Sequence, residues 1–368
     1  MVAWYSYVNP SPSTPASSVD RSAILVAAPL YMGDLCMALP AIARLKRSSP
    51  NQDVILIVRP ELVELAQFIR GIDCIIPFVK DFRTLRATRQ LKCKSAICFF
   101  EKRLLGFLRA SGAREIWALR DQNTPHFIRG PMFHDIASLP ISEMLDSLIL
   151  EFLNRKPSEA LYPVKTPDRC TGALWDLSAV PSLGFDLPSQ GYAVIHMSGR
   201  GRYRRLSLET ISELKHELIL AGLMPVFTGT GEFISPEMET GALNLVDKTS
   251  LTELLALLAG ATLVFGPDTG VTHLSSTLGK TTLVMMGSSQ PRLVHSHFFF
   301  PNQIFQYSGE LACRSTKKLH GYLGVLNAHC KGFVCSNREE GLCVNDTNQQ
   351  AYILLARDQI RHTNKKLS

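Results

Sequence analysis

Short apolar runs alternate with amphipathic segments along most of the chain. Runs rich in Val, Ile and Leu predict strands buried on both faces, and the segments between them have the apolar spacing of helices. In the first half, strands are predicted at 23–28, 54–58, 73–79, 94–100 and 114–119, with helices at 34–47, 60–70, 81–91 and 101–111. In the second half, strands are predicted at 192–197, 223–228, 262–266 and 281–287, with helices at 207–221 and 250–259. This alternation predicts parallel sheets flanked by helices.

The alternation stops between the two halves. Residues 155–190 contain five prolines and little periodicity, which is typical of a passage between domains. We therefore predict an α/β protein with two Rossmann-like, doubly wound domains that face a central cleft. The predicted parts are a disordered tail at 1–20, a first domain at 21–160, a linker at 161–190, a second domain at 191–345 and a helix at 346–368 that could cross back to the first domain.

The composition, 46% hydrophobic and 19% charged, is that of a folded globular protein. No apolar run approaches the roughly 18 residues of a membrane-spanning helix, and residues 1–20 lack the features of a signal peptide. We therefore expect a cytoplasmic protein. The net charge of +7 fits a solvated surface, and it also fits attraction to an acidic substrate or to an anionic membrane face. Peripheral contact of the protein with the inner membrane therefore stays one of the alternatives. We expect no nucleic-acid partner.

The first candidate motif, Gly33-Asp34, follows the first predicted strand. Gly33 permits a tight turn close to a ligand, and Asp34 opens the next helix. Asp34 could simply be the N-cap of that helix, because aspartate is favoured there. A carboxylate at the carboxyl end of a strand could also act as a general base.

The second motif, VFGPDTGVTH at 264–273, is a buried strand that leads through Asp268, Thr269 and Gly270 into a helix. A helix N-terminus offers unpaired N–H groups and the positive end of a dipole, which suits a phosphate or pyrophosphate. His273 lies about one turn into this helix, where it could face the same ligand. The alternative is a capped helix with a core histidine.

Two further glycine-containing loops follow strands of the second half. Residues 198–205 (SGRGRYRR) form a basic loop in which Arg204 and Arg205 could bind phosphate oxygens, unless the loop is merely solvated. A turn that begins at Gly229 follows the next strand and carries a weaker signal.

Together these motifs resemble glycosyltransferase family 9, the ADP-heptose:lipopolysaccharide heptosyltransferases, which have the GT-B fold. The resemblance covers nearly all of residues 22–345. It rests on 24–26 followed by Gly33-Asp34, 39–42 with Leu45, 254–261, 265–273, and 281–287 with Ser288 and Pro291. It implies that the first domain binds the acceptor and the second binds the sugar donor.

The resemblance also implies roles for individual residues. Asp34 corresponds to the acidic residue that deprotonates the acceptor hydroxyl. The loop that holds the pyrophosphate and sugar of the donor corresponds to Asp268, Thr269, Gly270 and His273. Either Arg204 or Arg205 occupies the position where the family often has a lysine near the phosphates.

The implied reaction is a direct displacement at the anomeric carbon, with inversion and without a metal. Asp34 would take the proton, while arginine and the N–H groups of the helix end would stabilise the leaving diphosphate. The sequence has no Asp-x-Asp motif, in agreement with a reaction that needs no cofactor.

Four cysteines lie within 31 residues, at Cys313, Cys330, Cys335 and Cys343. Four thiolates could hold a structural Zn or Fe ion, although the spacing lacks tight Cys-x-x-Cys pairs. Related enzymes that add heptose to autotransporter proteins carry a four-cysteine iron site. The alternative is that these are unligated thiols.

The leading hypothesis is therefore an inverting heptosyltransferase that acts on the lipopolysaccharide inner core, with a nucleotide sugar and a lipid A-type acceptor as partners. A protein acceptor is the nearest alternative. A sugar-nucleotide epimerase would share the fold, and a nucleotide-sugar-binding protein without activity would share the scaffold.

Overall fold

In a computed structural model of the chain, the structure describes residues 23–28, 30–79, 82–99, 104–153, 174–180, 183–187, 191–197, 199, 204–232, 234–287, 289–309, 343 and 345–367. The chain divides into two compact units, Met1–Asp176 and Leu177–Ser368. The division falls within the segment expected to be the linker. No helix among the described residues is both long and apolar enough to cross a bilayer.

The N-terminal unit contains one parallel six-stranded sheet with the order β3-β2-β1-β4-β5-β6. Its strands are β1 (Ala23–Ala27), β2 (Asp53–Val58), β3 (Cys74–Pro77), β4 (Ser95–Cys98), β5 (Glu115–Ala118) and β6 (Ile128–Arg129). Its helices are α1 (Met32–Ser48), α2 (Val63–Ala66), α3 (Phe82–Gln90), α4 (Leu104–Ala110), α5 (Phe133–Ile136) and α6 (Ile141–Phe152). The central strands are buried along almost their whole length, as the continuous apolar runs predict.

The helix predicted at 60–70 is wrong in its extent. The segment forms a 3-10 turn at Pro60–Leu62 followed by the single turn of α2. The chain then leaves the helix because Ile69 pairs as an antiparallel bridge with Trp175. This tertiary pairing overrides the local helical spacing.

The C-terminal unit contains a second parallel six-stranded sheet with the order β12-β11-β10-β7-β8-β9. Its strands are β7 (Tyr192–His196), β8 (Met224–Thr228), β9 (Leu243–Asn244), β10 (Leu263–Pro267), β11 (Thr281–Met285) and β12 (Gln303–Gln306). Its helices are α7 (Leu208–Leu220), α8 (Pro236–Glu239), α9 (Leu251–Gly260), α10 (Gly270–Thr277), α11 (Pro291–Val294) and α12 (Asp346–Leu367).

Both sheets have the same topology, since each order reads 3-2-1-4-5-6 when its strands are counted from the first. The fold class predicted from the sequence, two doubly wound Rossmann-like domains, is thereby confirmed. In such sheets, ligands bind beyond the carboxyl ends of the strands where the order reverses. These points lie between β1 and β4 in the N-terminal unit and between β7 and β10 in the C-terminal unit.

Helix α12 packs against α7, β11 and β12 of the C-terminal unit. The fully buried hydroxyl of Tyr352 accepts a hydrogen bond from Gly266 N (2.9 Å) and donates one to Leu283 O (2.8 Å). It therefore links α12 to β10 and β11. Arg357 adds an ion pair with Glu217 on α7, with 2.7 Å between Nε and Oε1.

Candidate active site

The loop after β10 connects the strand to helix α10 through Asp268 and Thr269. Asp268 N donates to Met285 O (3.0 Å), which continues the pairing with β11. Thr269 is the N-cap of α10, and its N–H donates to the hydroxyl of Thr272 (3.2 Å), which in turn donates to Thr269 O and Pro267 O. These bonds hold the first turn of α10 at the carboxyl end of β10.

The loop after the adjacent strand β7 contacts this turn closely. Gly199 N donates to Arg204 O (2.7 Å), and Leu206 N donates to Met197 O (3.1 Å), so the two ends of the basic loop are fastened together. A Cβ atom at position 199 would lie 2.5 Å from the Cγ2 atom of Thr269. Only glycine permits this approach.

The carboxylate of Asp268 lies at the centre of the site, with 4% of the residue exposed. His273 Nε2 lies 3.2 Å from Asp268 Oδ1, and Arg204 Nη2 lies 3.9 Å from Asp268 Oδ2. Burial of the Asp268 carboxyl would raise its pKa, but the hydrogen bond with His273 and the charge of Arg204 outweigh burial and hold the pKa well below its usual range. Asp268 is therefore ionised, and its charge orients the two groups around it.

His295 is a member of this cluster that the sequence analysis misses. It follows α11, and its ring stacks on that of His273, with centroids 5.0 Å apart. His295 Nε2 lies 3.8 Å from Asp268 Oδ1. Burial and the nearby His273 lower the pKa of His295 from 6.5 to about 4, so its ring is neutral near neutral pH. No motif marks this residue, because it reaches the site from an irregular segment between α11 and β12.

The two candidate arginines have different partners. Arg204 faces Asp268, whereas Arg205 Nη2 pairs with Glu232 Oε1 at 3.1 Å, in the turn that begins at Gly229. In that turn, Gly231 N donates to both carboxylate oxygens of Asp247 (2.9 and 3.0 Å). Gly229 therefore belongs to a neighbouring turn whose polar groups bond to one another.

Asp34 lies in the N-terminal unit, beyond the carboxyl end of β1 at the reversal of strand order. It is the third residue of α1 and is half-buried. The N-cap is Tyr31, so the interpretation of Asp34 as the N-cap is wrong. Its carboxylate lies in the first turn of the helix, where the helix dipole favours a negative charge.

The predicted cysteine cluster falls largely outside the described residues. Cys313, Cys330 and Cys335 lie in segments that the structure does not describe, and Cys343 is half-buried. A structural Zn or Fe ion at these four residues stays a prediction.

A different group, Asp268, His273 and His295, has the residue types of a metal site, with ligand atoms within 4.8 Å of one another. Two features disfavour a metal there. The guanidinium of Arg204, close to the same carboxylate, would repel a divalent ion. The imidazole rings are stacked within 16° of parallel, so their in-plane lone pairs do not converge on one point. The group fits hydrogen bonding and ion pairing better than metal binding.

What the site can bind follows from its charges. The N-terminus of α10 presents backbone N–H groups, and the half-buried Arg204 adds a fixed positive charge beside them. Such a combination binds the oxygens of phosphate or diphosphate. Thr269 Oγ1 is buried and has no hydrogen-bond partner among the described residues, so a polar ligand could satisfy it.

Comparison of sequences connects this half of the chain with a known family. Residues 228–318 match the model of glycosyltransferase family 9 (heptosyltransferase). The matched segment contains the Gly229 turn, the Asp268 loop, His273 and His295. Among curated proteins, none matches the chain in sequence.

Solved structures with the same fold include three bacterial proteins. ADP-heptose lipopolysaccharide heptosyltransferase II of Escherichia coli is 16% identical, with a TM-score of 0.62 over 77% of this chain and 90% of that one. A family 9 glycosyltransferase from Veillonella parvula is 14% identical, with a TM-score of 0.64 over 94% and 99%. The dodecameric iron-containing heptosyltransferase TibC of enterotoxigenic E. coli, in complex with ADP-D-beta-D-heptose, is 15% identical, with a TM-score of 0.54 over 95% and 76%. At these identities the likeness shows a shared fold.

Proposed function

We propose that the chain is a family 9-like glycosyltransferase that transfers a heptose from ADP-heptose to the inner core of lipopolysaccharide, with inversion at the anomeric carbon. The observation that carries the proposal is the buried Asp268–His273 pair with Arg204 beside it, at the reversal of strand order in the C-terminal sheet. This group lies largely within the segment that matches the family model.

The diphosphate of the sugar donor is assigned to the N-terminus of α10 and to Arg204. The backbone N–H groups of the first turn and the guanidinium supply positive charge without a metal ion. ADP-heptose is the donor we favour because the names of two proteins with the same fold, heptosyltransferase II and TibC, include it. The adenine and the heptose are therefore the parts of the proposal that rest on likeness alone.

The proposed chemistry is a single displacement. The hydroxyl oxygen of the acceptor forms a bond to the anomeric carbon while the bond from that carbon to the diphosphate oxygen breaks. Asp34 takes the hydroxyl proton, and ADP leaves with the bonding electrons. Arg204 and the N–H groups of α10 stabilise the charge that develops on the leaving diphosphate.

The acceptor is assigned to the N-terminal unit and, as a lipid, would lie at the inner membrane. Helix α3 supports this assignment, since it carries Arg83, Arg86 and Arg89 on its exposed surface and no acidic residue. Phe82, at its start, is 72% exposed. Basic and aromatic side chains together suit the headgroup region of an anionic membrane.

The test is a screen of purified protein with ADP-heptose, ADP-mannose and UDP-glucose, each alone, with lipid A that carries inner-core sugars, and with a polypeptide acceptor. We expect ADP release that requires both ADP-heptose and the lipid, and that persists in EDTA. Isomerised donor without nucleotide release would indicate an epimerase. Tight binding without turnover would indicate a binding protein, and heptose found only on added polypeptide would indicate a protein acceptor. Each of these three results would overturn the proposal.

A further inference from the structure

His295 is a buried residue of the candidate active site, and its ring is surrounded by two other rings, a glutamine side chain and a carboxylate. Only 4% of the residue is exposed, and its ring lies between those of His273 and Phe305, at centroid distances of 5.0 and 5.6 Å. Its Nδ1 atom lies at hydrogen-bonding distance from the side-chain Oε1 atom of Gln303, the first residue of β12. Its Nε2 atom points toward Asp268 Oδ1, 3.8 Å away.

The hydrogen bonding of this group decides which ring nitrogen carries the proton. A neutral imidazole has one N–H, and the oxygen and nitrogen of a glutamine amide are assigned from the surrounding bonds. If Gln303 accepted a proton from Nδ1, the lone pair of Nε2 would face the carboxylate of Asp268. His295 Nε2 and Gln303 Nε2 would then both be buried without hydrogen-bond partners among the described residues.

The opposite assignment removes the repulsion between Nε2 and Asp268, and it leaves the oxygen of the Gln303 amide, in place of the nitrogen, without a partner among the described residues. When the Gln303 amide donates its N–H to Nδ1, the ring proton moves to Nε2 and points at the negative charge of Asp268. A buried N–H aimed at a carboxylate is attractive, whereas a lone pair there is repulsive. The arrangement then forms a chain in which Gln303 donates to His295 and His295 directs its N–H toward Asp268.

We propose that His295 is a positioning residue of the sugar-donor site, which Gln303 holds as the Nε2–H tautomer so that it orients the Asp268 carboxylate beside His273. The proposal rests on the proposed function in one respect, because the site that Asp268 serves is taken to bind a nucleoside diphosphate. His295 acts through Asp268 and His273 and is assigned no contact with the substrate.

A role in packing alone would not require these polar groups. An apolar side chain between His273 and Phe305 would fill the same space without burying two ring nitrogens and an amide. The chain instead buries His295 and Gln303 together, and the Nε2 atom of His295 lies on the side of the ring that faces Asp268.

Two substitutions distinguish a packing role of His295 from a positioning role, because the two roles predict opposite rankings of the variants in ADP affinity. His295→Phe keeps a ring that stacks on His273 and Phe305 but removes the N–H. His295→Gln removes the ring but can place an amide N–H near the position of Nε2. For positioning, we expect His295→Phe to weaken ADP binding, measured by calorimetry, about 10-fold or more, because it removes the attraction between a buried N–H and the Asp268 carboxylate 3.8 Å away. His295→Gln should stay within about 3-fold of the parent. The reverse order, or no change in either variant, would overturn the proposal.

A second measurement needs no sugar donor. Long-range ¹H–¹⁵N correlation spectra of the full chain with labelled histidine should show residue 295 as a single Nε2–H tautomer, assigned by the loss of its signals in His295→Gln. Gln303→Met, which has a similar shape but no amide, should mix the tautomers. A pure Nδ1–H tautomer in the parent protein would overturn the proposal. If the parent fails to bind ADP yet shows the Nε2–H tautomer, the proposed function fails while the orienting role toward Asp268 stands.

Discussion

A methyl group on residue 199 would lie 2.5 Å from the Cγ2 atom of Thr269, so Gly199 and Thr269 are neighbours only because residue 199 has no side chain. The contact sets the distance between the basic loop and the first turn of α10. It also sets the place of Arg204, whose carbonyl oxygen accepts a hydrogen bond from Gly199 N.

The first prediction follows from this contact. Gly199→Ala should push the two loops apart, weaken ADP binding about 10-fold or more, and destabilise the fold by about 1–3 kcal/mol, the usual cost of overpacking. Gly106→Ala is the control, because that glycine lies in α4 and a Cβ there would meet no atom within 4 Å. The control should be neutral or more stable by about 0.5–1 kcal/mol. Calorimetry and urea unfolding measure both effects, and equal behaviour of the two variants would contradict the prediction.

The second prediction separates the two adjacent arginines. Arg204→Gln should weaken ADP binding about 10-fold or more, since it removes the charge beside Asp268 and α10. Arg204→Lys should be intermediate, because it keeps the charge but not the planar geometry. Arg205→Gln is the matched control, since Arg205 pairs with Glu232 at an exposed site, where ion pairs contribute little. Calorimetry at several salt concentrations measures all three, and a larger loss at Arg205 would reverse the assignment.

The third prediction concerns Asp34. Asp34→Asn should lower kcat about 10²–10⁴-fold and leave the affinity for ADP unchanged, because a general base acts on the acceptor proton and not on the diphosphate. Glu143→Gln is the control, since Glu143 is also an acidic residue in the first turn of a helix, α6. Both variants lose a favourable interaction with a helix dipole, worth about 0.3–1 kcal/mol, but only the first should lose turnover. Near-normal kcat in Asp34→Asn would leave the residue with a purely structural role.

The fourth prediction is a dependence of stability on pH. The pKa of His295 is lowered from 6.5 to about 4 in the folded protein, so the unfolded chain takes up this proton first as the pH falls. The free energy of unfolding should therefore decrease between about pH 6.5 and pH 4, by an amount on the order of 3 kcal/mol. The His295→Gln variant should lack this contribution. Urea unfolding of both proteins from pH 7 to pH 4 measures the difference, and parallel curves would contradict the lowered pKa.

The fifth prediction concerns the basic surface of α3. Substitution of both Arg86 and Arg89 by Gln should weaken binding to phosphatidylglycerol vesicles about 30-fold at low salt, at about 1 kcal/mol for each basic residue near the surface. Arg361→Gln is the control, an exposed arginine near the end of α12 in the other unit. Vesicle sedimentation at increasing salt measures the effect. Equal binding of parent and double variant, or equal binding to phosphatidylcholine, would remove α3 as a membrane contact.

Much of the fold can be predicted from the sequence because the central strands are buried on both faces. The apolar runs that contain β1, β2, β7 and β10 therefore differ clearly from the helices around them. The two-residue strands β6 and β9 are not predicted, since two residues carry no periodicity. Helix α6 is not predicted either, although Glu143, Asp146, Ser147 and Glu151 have the spacing of one polar face; the fold buries Asp146 and Ser147 of that face.

The site can be predicted only where one local segment supplies the residues. The Asp268 loop combines a strand, a glycine and a helix N-terminus, so Asp268, Thr269 and His273 are found together. His295 and Gln303 come from separate segments after α11 and meet the site only through the pairing of β11 with β12. Likewise, the sequence leaves Arg204 and Arg205 equivalent, and the partners of each appear only once the two loops fold against each other.

The hydroxyl of Tyr352 bridges two strands that precede it by 86 and 69 residues. During synthesis, Gly266 and Leu283 are therefore made well before Tyr352, whose hydroxyl bonds to Gly266 N and Leu283 O. Strand β10, which leads to Asp268, already pairs with β11 through its backbone, and the hydroxyl of Tyr352 adds a further link between the two strands once α12 has formed. Because α12 is made after both strands, the link that it adds beside the Asp268 loop forms later than the pairing of the strands themselves.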